Sequence, residues 1–241
     1  MKRFYKTVTI AESPPPEDSG FHILLDNKPV KTPYRRLLCA HNMALAQAIA
    51  DEWEAQTESI NPATMPITQW VTTIQDRIQP NRAALQKEIL AFLNTDLVCY
   101  RTPAEGDTEI MGKAQITHWE PPLQWFEKQC GCTFARTTDL QALIQPETAH
   151  NYLKTAVSAL NDAEFAVLLV VTQGTGSIIL GFAFLKGAFD ADTIFNAAFV
   201  EEKVKFDLYN EEFYGSAPDQ ERREKNLRHD LEGATQFLAL L

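Results

Sequence analysis

Residues 163–185, AEFAVLLVVTQGTGSIILGFAFL, raise the one membrane question in this chain and decide what kind of core it builds. A membrane-spanning helix needs about 20 consecutive apolar residues. Here the run is interrupted at its centre by small and polar residues from Thr172 to Ser177, which leaves only about two helical turns on each side. We therefore expect two buried core helices joined by a glycine-rich turn, and no stable membrane insertion.

The composition supports a folded protein that binds other proteins or small molecules. The chain has 241 residues, of which 45% are hydrophobic, and this is enough for one large domain or two small ones. Its 22 basic and 32 acidic residues give a net charge of −10. This balance argues against a nucleic-acid partner, because such binding relies on neutralising phosphates.

The N-terminus and the cysteines indicate the compartment. MKRFYKTVTIAE lacks the apolar segment of a signal peptide, and it is too short and too strand-like for a transit peptide. The four cysteines show no disulfide framework. We expect a protein of the bacterial cytoplasm; a mitochondrial homologue would need a transit peptide that this sequence does not show.

The first forty residues carry the strand signals. RFYKTVTI (residues 3–10) is rich in aromatic and β-branched residues, and Asp26-Asn27 separates two apolar runs as a hairpin turn would. Pro29 has no backbone donor, so the second arm should be short or at a sheet edge. The polar, proline-rich residues 12–20 should form a loop between the first two strands.

Helical periodicity begins at Asn42. Leu45, Ile49 and Trp53 lie on one helical face, and Pro66 suits the first turn of a second helix that carries Trp70. The prolines of NPATMPITQW (residues 61–70) should fix the angle between these two helices. We expect a third helix over residues 82–93, followed by a strand at residues 97–101, LVCYR.

Everything after about residue 105 is predicted to be helical. One helix should end near Trp119 and the next begin at Pro121-Pro122. Further helices are expected over residues 146–160, from the Asn161 and Glu164 capping box, from Asp190 to about Glu212, and from Pro218 to the end. The predicted class is α+β: a small N-terminal β-rich α+β domain (residues 1–100), then an all-α orthogonal helical bundle (residues 101–241).

Two motifs could support chemistry. Cys130 and Cys132 could hold a soft metal with His118 or His150, although this spacing fixes neither geometry nor ligand number. QGTGSIIL (residues 173–180) resembles a phosphate-binding loop, but it lacks the lysine and the glycine spacing of a P-loop. Ordinary thiols and close helix packing explain both motifs better, and we expect no metal and no cofactor.

An acidic helical segment is the other candidate site. Residues 201–212 contain two lysines and five acids, and their net charge is −3; the acids are Glu201, Glu202, Asp207, Glu211 and Glu212. About ten residues separate the first and last acidic pairs, too far for one catalytic pair of carboxylates. The segment is either a solvated face or a ledge for a basic partner surface.

Several ordered motifs resemble one known family. These are RFYK (3–6), LLDNKPVKTP (24–33), LAQAIADEWEAQ (45–56), INPATMPIT (60–68), TDLVCYR (95–101) and HWEPPLQWF (118–126), and TGSIIL (175–180) and LEGATQFLALL (231–241) extend the match. Together they are similar to the assembly chaperone for the α subunit of the F-type ATP synthase catalytic head, and the resemblance covers nearly the whole chain.

The resemblance implies a protein that is not an enzyme. It implies an ATP-independent chaperone that binds free α subunit, shields its subunit interface and promotes assembly of the α/β head, and that is a monomer when free. The implied client-binding residues are Glu202 first, then Glu201 and Asp207, with Trp53 and Trp70 at the elbow as further candidates. A metal- or nucleotide-dependent enzyme and an interaction module of another complex remain the alternatives.

Overall fold

The structure is a computed structural model that describes residues 1–13, 20–209 and 218–241, with the Tyr209 side chain left out. Two compact units are distinguished in the chain. The first contains Met1–Arg82 and Gly233–Leu241, and the second contains Ala83–Glu232. The domain boundary expected at residue 100 stays a prediction.

The first unit holds a small antiparallel sheet. Its strands are β1 (Val8–Glu12), β2 (Phe21–Leu25), β3 (Lys28–Pro29) and β4 (Cys39–Ala40), and β2 pairs with each of the other three. The hairpin turn at Asp26-Asn27 is confirmed, with φ of 47° and 65°. The arm that contains Pro29 is two residues long, as its missing backbone donor requires. Most of the loop predicted at residues 12–20 lies outside the described residues.

One helix packs on this sheet, and a second helix packs on the first. Asn42 caps α1 (Met43–Glu54) by accepting a 2.8 Å hydrogen bond from the Leu45 amide, and Pro66 is the first residue of α2 (Pro66–Thr73). A π-helical segment, Ile74–Ile78, continues α2 directly into α3 (Gln79–Ala91). The sequence predicted separate helices here, and the uninterrupted helical run was not foreseen.

The elbow between α1 and α2 is held by a carboxylate as well as by prolines. Glu52 of α1 accepts hydrogen bonds from the Ile67 amide at 2.6 Å and the Thr68 amide at 2.8 Å. These are amides of the first turn of α2, which have no partner inside their own helix. Burial raises the pKa of Glu52, while the hydrogen bonds from Thr68 and Ile67 oppose that shift. The angle between the two helices is therefore set by a contact that the proline pattern did not reveal.

The second unit is built from helices, whose bounds are α4 (Glu109–Cys130), α5 (Glu147–Ala159), α6 (Asp162–Thr175), α7 (Ile178–Leu185), α8 (Ala191–Ala198), α9 (Val200–Tyr209) and α10 (Pro218–Leu238). The last residues of α10 belong to the first unit. The capping box is confirmed, because Asn161 and Glu164 each accept a hydrogen bond from the other's amide. The α+β class is thus confirmed: a small N-terminal sheet followed mostly by helices.

The apolar run at residues 163–185 forms the predicted pair of buried helices. Gly176, with φ of 73°, ends α6 in the left-handed conformation, and every residue from Ile178 to Phe184 in α7 is buried. Helices α6 and α7 approach closely: a Cβ on Gly181 would lie 2.5 Å from the Thr172 hydroxyl oxygen. None of the helices in the described part of the chain combines the length and the apolar character that crossing a bilayer requires.

Two expectations for the middle of the chain were wrong. Residues 97–101 form no strand: Leu97–Cys99 is a 3-10 turn, and only Tyr100 makes an isolated bridge, to Thr137. The helix break at Pro121 and Pro122 is absent, because α4 runs through both prolines. A proline inside a helix costs about 3 kcal/mol, but the turns beside them bury Trp119, Leu123 and Phe126, which favours one continuous helix.

The long helix predicted from Asp190 to Glu212 is also divided. Asp190 caps α8 as expected, but Phe199 leaves the helical region with φ of −114° and ψ of 20°, and α9 begins at Val200. The Phe199 ring is buried and lies 5.1 Å from the Phe195 ring. The break thus accompanies the burial of an aromatic side chain, and the predicted end at Glu212 lies outside the described residues.

Candidate functional site

The acidic segment places three of its predicted acids on α9. Glu202, Lys203, Phe206 and Asp207 of this helix, together with Gln220 and Glu224 of α10, line a cavity of about 310 Å³. Three of these side chains carry negative charge and one carries positive charge. Glu211 and Glu212, the other predicted acids, lie outside the described residues.

Glu202 and Asp207 face this cavity in different surroundings. Glu202 is partly buried and lies 3.6 Å from the guanidinium of Arg223, whose side chain is 64% exposed. Asp207 is exposed. An ion pair in which one partner is this exposed contributes little to stability.

Glu201 has a different role from its neighbour. Its carboxylate accepts a 2.7 Å hydrogen bond from the Gln115 side chain of α4. Gln115 is buried, and it also accepts a 2.6 Å hydrogen bond from the Thr102 amide. Glu201 thus fastens α9 to α4.

Apolar side chains accompany the acids on α9. Phe206 is 40% exposed and Leu208 is 47% exposed, whereas the sequence prediction considered only the charges of this segment. A surface that combines carboxylates with an exposed ring suits a lysine or arginine side chain, because the charged head meets the acids and the methylene stem lies on the ring. The signal was present in the sequence as Phe206 within an acidic helix.

The two tryptophans of the elbow lie in the first unit. Trp70 is 7% exposed and stacks on Phe237, with ring centroids 5.5 Å apart. Trp53 is partly exposed and contacts the Tyr5 ring edge to face at 5.7 Å, and its indole nitrogen is buried with no hydrogen-bond partner among the described residues. Trp70 therefore offers a client almost no surface, and Trp53 offers some.

The loop that resembles a phosphate site is already filled by a carboxylate. Asp96, which is fully buried, accepts hydrogen bonds from the Ser177 hydroxyl at 2.6 Å and from the Ile179 amide at 3.1 Å. These groups lie at the start of α7, where an anion would bind. Burial raises the pKa of Asp96 to about 6. A phosphate could enter only by displacing Asp96. Gly174 instead allows close packing against Leu227, and Gly176 ends α6.

The thiol pair shows no surrounding ligand set. Cys130 and Cys132 are half-buried at the end of α4, and burial together with the neighbouring Cys132 raises the pKa of Cys130 to about 12. At that pKa the Cys130 thiol is protonated at neutral pH when no metal is bound. In residues 1–13, 20–209 and 218–241 no group of three or more His, Cys, Asp or Glu is placed to hold a metal ion, and His118 and His150 join no such group.

Solved structures of one class of protein share this fold. The chain superimposes on Atp12 from Paracoccus denitrificans with a TM-score of 0.85 and 26% identity, covering 99% of this chain and 97% of that one. An aspartate-to-lysine mutant of the same protein gives 0.86 and 27%, with the same coverage. The Atu1473 protein of Agrobacterium tumefaciens gives 0.83 and 33%, covering 99% of this chain and 85% of that one.

The sequence comparisons agree on the family. Residues 2–127 match the model of the ATP12 chaperone protein family. The mitochondrial protein atp12 of Schizosaccharomyces pombe is 26% identical over 182 residues, which are 70% of this chain and 62% of that protein. The chain belongs to the ATP12 chaperone protein family.

Proposed function

We propose that this protein is an ATP-independent chaperone for ATP synthase assembly that binds the free α subunit and shields its subunit interface until the α/β head forms. The observation that carries this proposal is the family match over residues 2–127. The aligned region spans 62% of the length of the Schizosaccharomyces pombe relative, so it is a proposal that this chain has the activity of that whole protein.

The physical requirement for such a chaperone is simple. Obligate subunit interfaces are large and apolar, and an unassembled subunit exposes that surface to aggregation. A chaperone that uses no nucleotide must cover the surface reversibly and lose it to a partner that binds more tightly. This role needs no chemical step, and we propose that the protein is not an enzyme and has no cofactor.

We place client binding on α9, with Glu202 as its principal residue. Glu202 and Asp207 line the cavity beside the exposed Phe206 ring, an arrangement that fits a basic side chain of the client. Glu201 acts through its hydrogen bond to Gln115, which holds α9 in position.

The elbow tryptophans have lesser parts in this proposal. Trp53 would contact the client directly, since part of its side chain is exposed. Trp70 would act through packing against Phe237. The protein is proposed to be a monomer when free and to act in the cytoplasm on a protein client, with no nucleic acid or membrane partner.

Co-expression tests the proposal. The α subunit from the same cell is expressed alone, with this protein, and with its Glu202→Lys variant, and soluble α is measured after centrifugation. Wild type should raise the soluble fraction of α severalfold and co-purify with α, and the variant should do so less well. If α precipitates equally in the presence and absence of wild type, and no complex is recovered, the proposed function is wrong.

A further inference from the structure

A basic hairpin interrupts the surface of this otherwise acidic protein. Residues 28–36, KPVKTPYRR, contain four of the chain's 22 basic residues and no acid, in a protein of net charge −10. The side chains of Lys28, Lys31, Arg35 and Arg36 are exposed, and the Tyr34 ring between them is 68% exposed. We define these five residues as the basic hairpin surface.

The hairpin backbone is closed by its own hydrogen bonds. Lys31 and Leu37 form an antiparallel bridge, and the Thr32 amide donates to the Arg36 carbonyl at 2.8 Å. The Arg35 amide returns to the Thr32 carbonyl, also at 2.8 Å, with Arg35 at φ of 64°. These contacts form a tight turn that displays the Tyr34 and Arg35 side chains at its tip.

A buried carboxylate fixes this turn to the fold. Asp76, which is 5% exposed, accepts hydrogen bonds from the Thr32 hydroxyl at 2.8 Å and from the Tyr34 amide at 3.1 Å. Next to it, the Gln75 side chain donates to the Leu37 carbonyl at 3.0 Å and accepts from the Cys39 amide at 3.2 Å. Gln75 and Asp76 lie in the π-helical segment Ile74–Ile78, and such segments often occur at functional sites.

The charges of the hairpin are only partly used inside the described fold, where the Arg36 guanidinium donates a hydrogen bond to the Gln75 carbonyl. None of the ion pairs among residues 1–13, 20–209 and 218–241 involves its four cations. The nearby acids are occupied: Asp76 by Thr32 and Tyr34, and Asp26 by the Lys6 and Thr7 amides at 3.0 Å each. The other three cations, Lys28, Lys31 and Arg35, are exposed on this turn and available to an anionic partner.

We propose that the basic hairpin surface is a second client contact, which binds an acidic segment of the α subunit; this inference rests on the proposed function. An exposed tyrosine beside arginines is typical of protein interfaces, where Tyr and Arg contribute most of the binding energy. A rigid turn binds at a smaller entropic cost than a mobile one. A short acidic segment meets less repulsion from a chain with net charge −10 than an extended polyanion such as a nucleic acid or an anionic membrane would.

Charge reversal with a matched control tests the inference. The dissociation constant of purified α subunit is measured for wild type, for Lys31→Glu/Arg35→Glu, and for Lys87→Glu/Lys154→Glu, which changes the net charge equally at two exposed lysines elsewhere. Titrations at low and high salt separate screened from unscreened contributions. Lys28→Glu serves as a second variant if the double change lowers the melting temperature.

The hairpin variants should weaken α binding about tenfold at low salt, more than the control pair, and the difference should shrink at high salt. If wild type binds α and the hairpin variants bind equally well, the inference is wrong and the proposed function stands. If wild type does not bind α, both fail. Binding to vesicles of anionic phosphatidylglycerol is measured in parallel. A hairpin variant that loses vesicle binding but still binds α would show that the surface binds membranes, and would also overturn the inference.

Discussion

Helices α7 and α9 belong to the same unit and are of similar length, but the side chains of α7 are buried and most of those of α9 are not. Helix α7 buries every residue from Ile178 to Phe184, and its first turn is held by the buried Asp96. From Val200 to Leu208, helix α9 buries only Val200, and it presents carboxylates beside the exposed side chains of Phe206 and Leu208. In α7 each residue type is explained by folding. Folding does not explain the exposed apolar groups and the acids of α9, and this contrast makes α9 the candidate functional surface.

The largest effect should come from comparing one phenylalanine in each helix. Phe182 in α7 is buried, with its ring 5.8 Å from that of Phe126. Removing such a ring leaves a cavity, so Phe182→Ala should lower the free energy of unfolding by about 3–5 kcal/mol. Phe206→Ala in α9 is the matched change at a 40% exposed position and should cost less than about 1 kcal/mol.

Denaturant unfolding of the two phenylalanine variants provides the measurement. Equal losses of stability would show that Phe206 is as much a core residue as Phe182. This result would contradict the proposal that α9 is a surface for a partner.

A smaller effect is expected at the carboxylate that holds α7. Asp96→Ala removes the acceptor from the Ser177 hydroxyl and the Ile179 amide, and both donors remain buried. Each unsatisfied buried donor costs about 1–3 kcal/mol, so the two together should cost the variant at least about 2 kcal/mol. Glu105→Ala, at an exposed acid of the same unit, is the control and should change little. A variant as stable as wild type would mean that Asp96 does not hold α7.

The same carboxylate should leave a signature in the pH dependence of stability. Burial raises the pKa of Asp96 to about 6, above its ordinary value of 3.8. The folded chain then binds a proton at Asp96 more tightly than the unfolded chain does. Protonation of Asp96 therefore stabilises the fold at low pH, and this contribution is lost as the pH rises through about 6. One pKa unit corresponds to about 1.4 kcal/mol, so the loss should reach about 2–3 kcal/mol.

The difference in unfolding free energy between wild type and Asp96→Asn isolates this group, because the other titrating groups are common to both proteins. The difference should fall as pH rises from about 4 to about 6. A difference that is constant over this range, or that grows with pH, would contradict the raised pKa of Asp96.

Local signals in the sequence predicted much of the fold. The turn at Asp26-Asn27, the cap at Asn42, the capping box at Asn161 and Glu164 and the helix start at Pro218 depend on residues within about one turn of each other, and all are present. Predictions from local residue patterns failed where contacts with distant parts of the chain determine the structure. Burial around Pro121 and Pro122 keeps α4 continuous, and residues 97–101 have only Thr137 as a bridge partner.

The candidate site was predicted less completely. The acids of α9 were found from charge alone, but the anchoring of Glu201 by Gln115, 86 residues away, requires knowledge of the packing of α4 against α9. Asp96 was missed for the same reason, since its partners Ser177 and Ile179 lie more than 80 residues further along the chain. Residues that act together across the chain leave no pattern in a single sequence.

The affinity of purified protein for the α subunit, measured for wild type, Glu202→Lys and the control Glu105→Lys, tests the central claim most directly. Glu202→Lys should raise the dissociation constant about tenfold and change stability by less than about 1 kcal/mol, because the ion pair of Glu202 with the exposed Arg223 contributes little, while the control stays within about twofold of wild type. Equal affinity for all three proteins, with wild type bound to α, would contradict the placement of the client on α9.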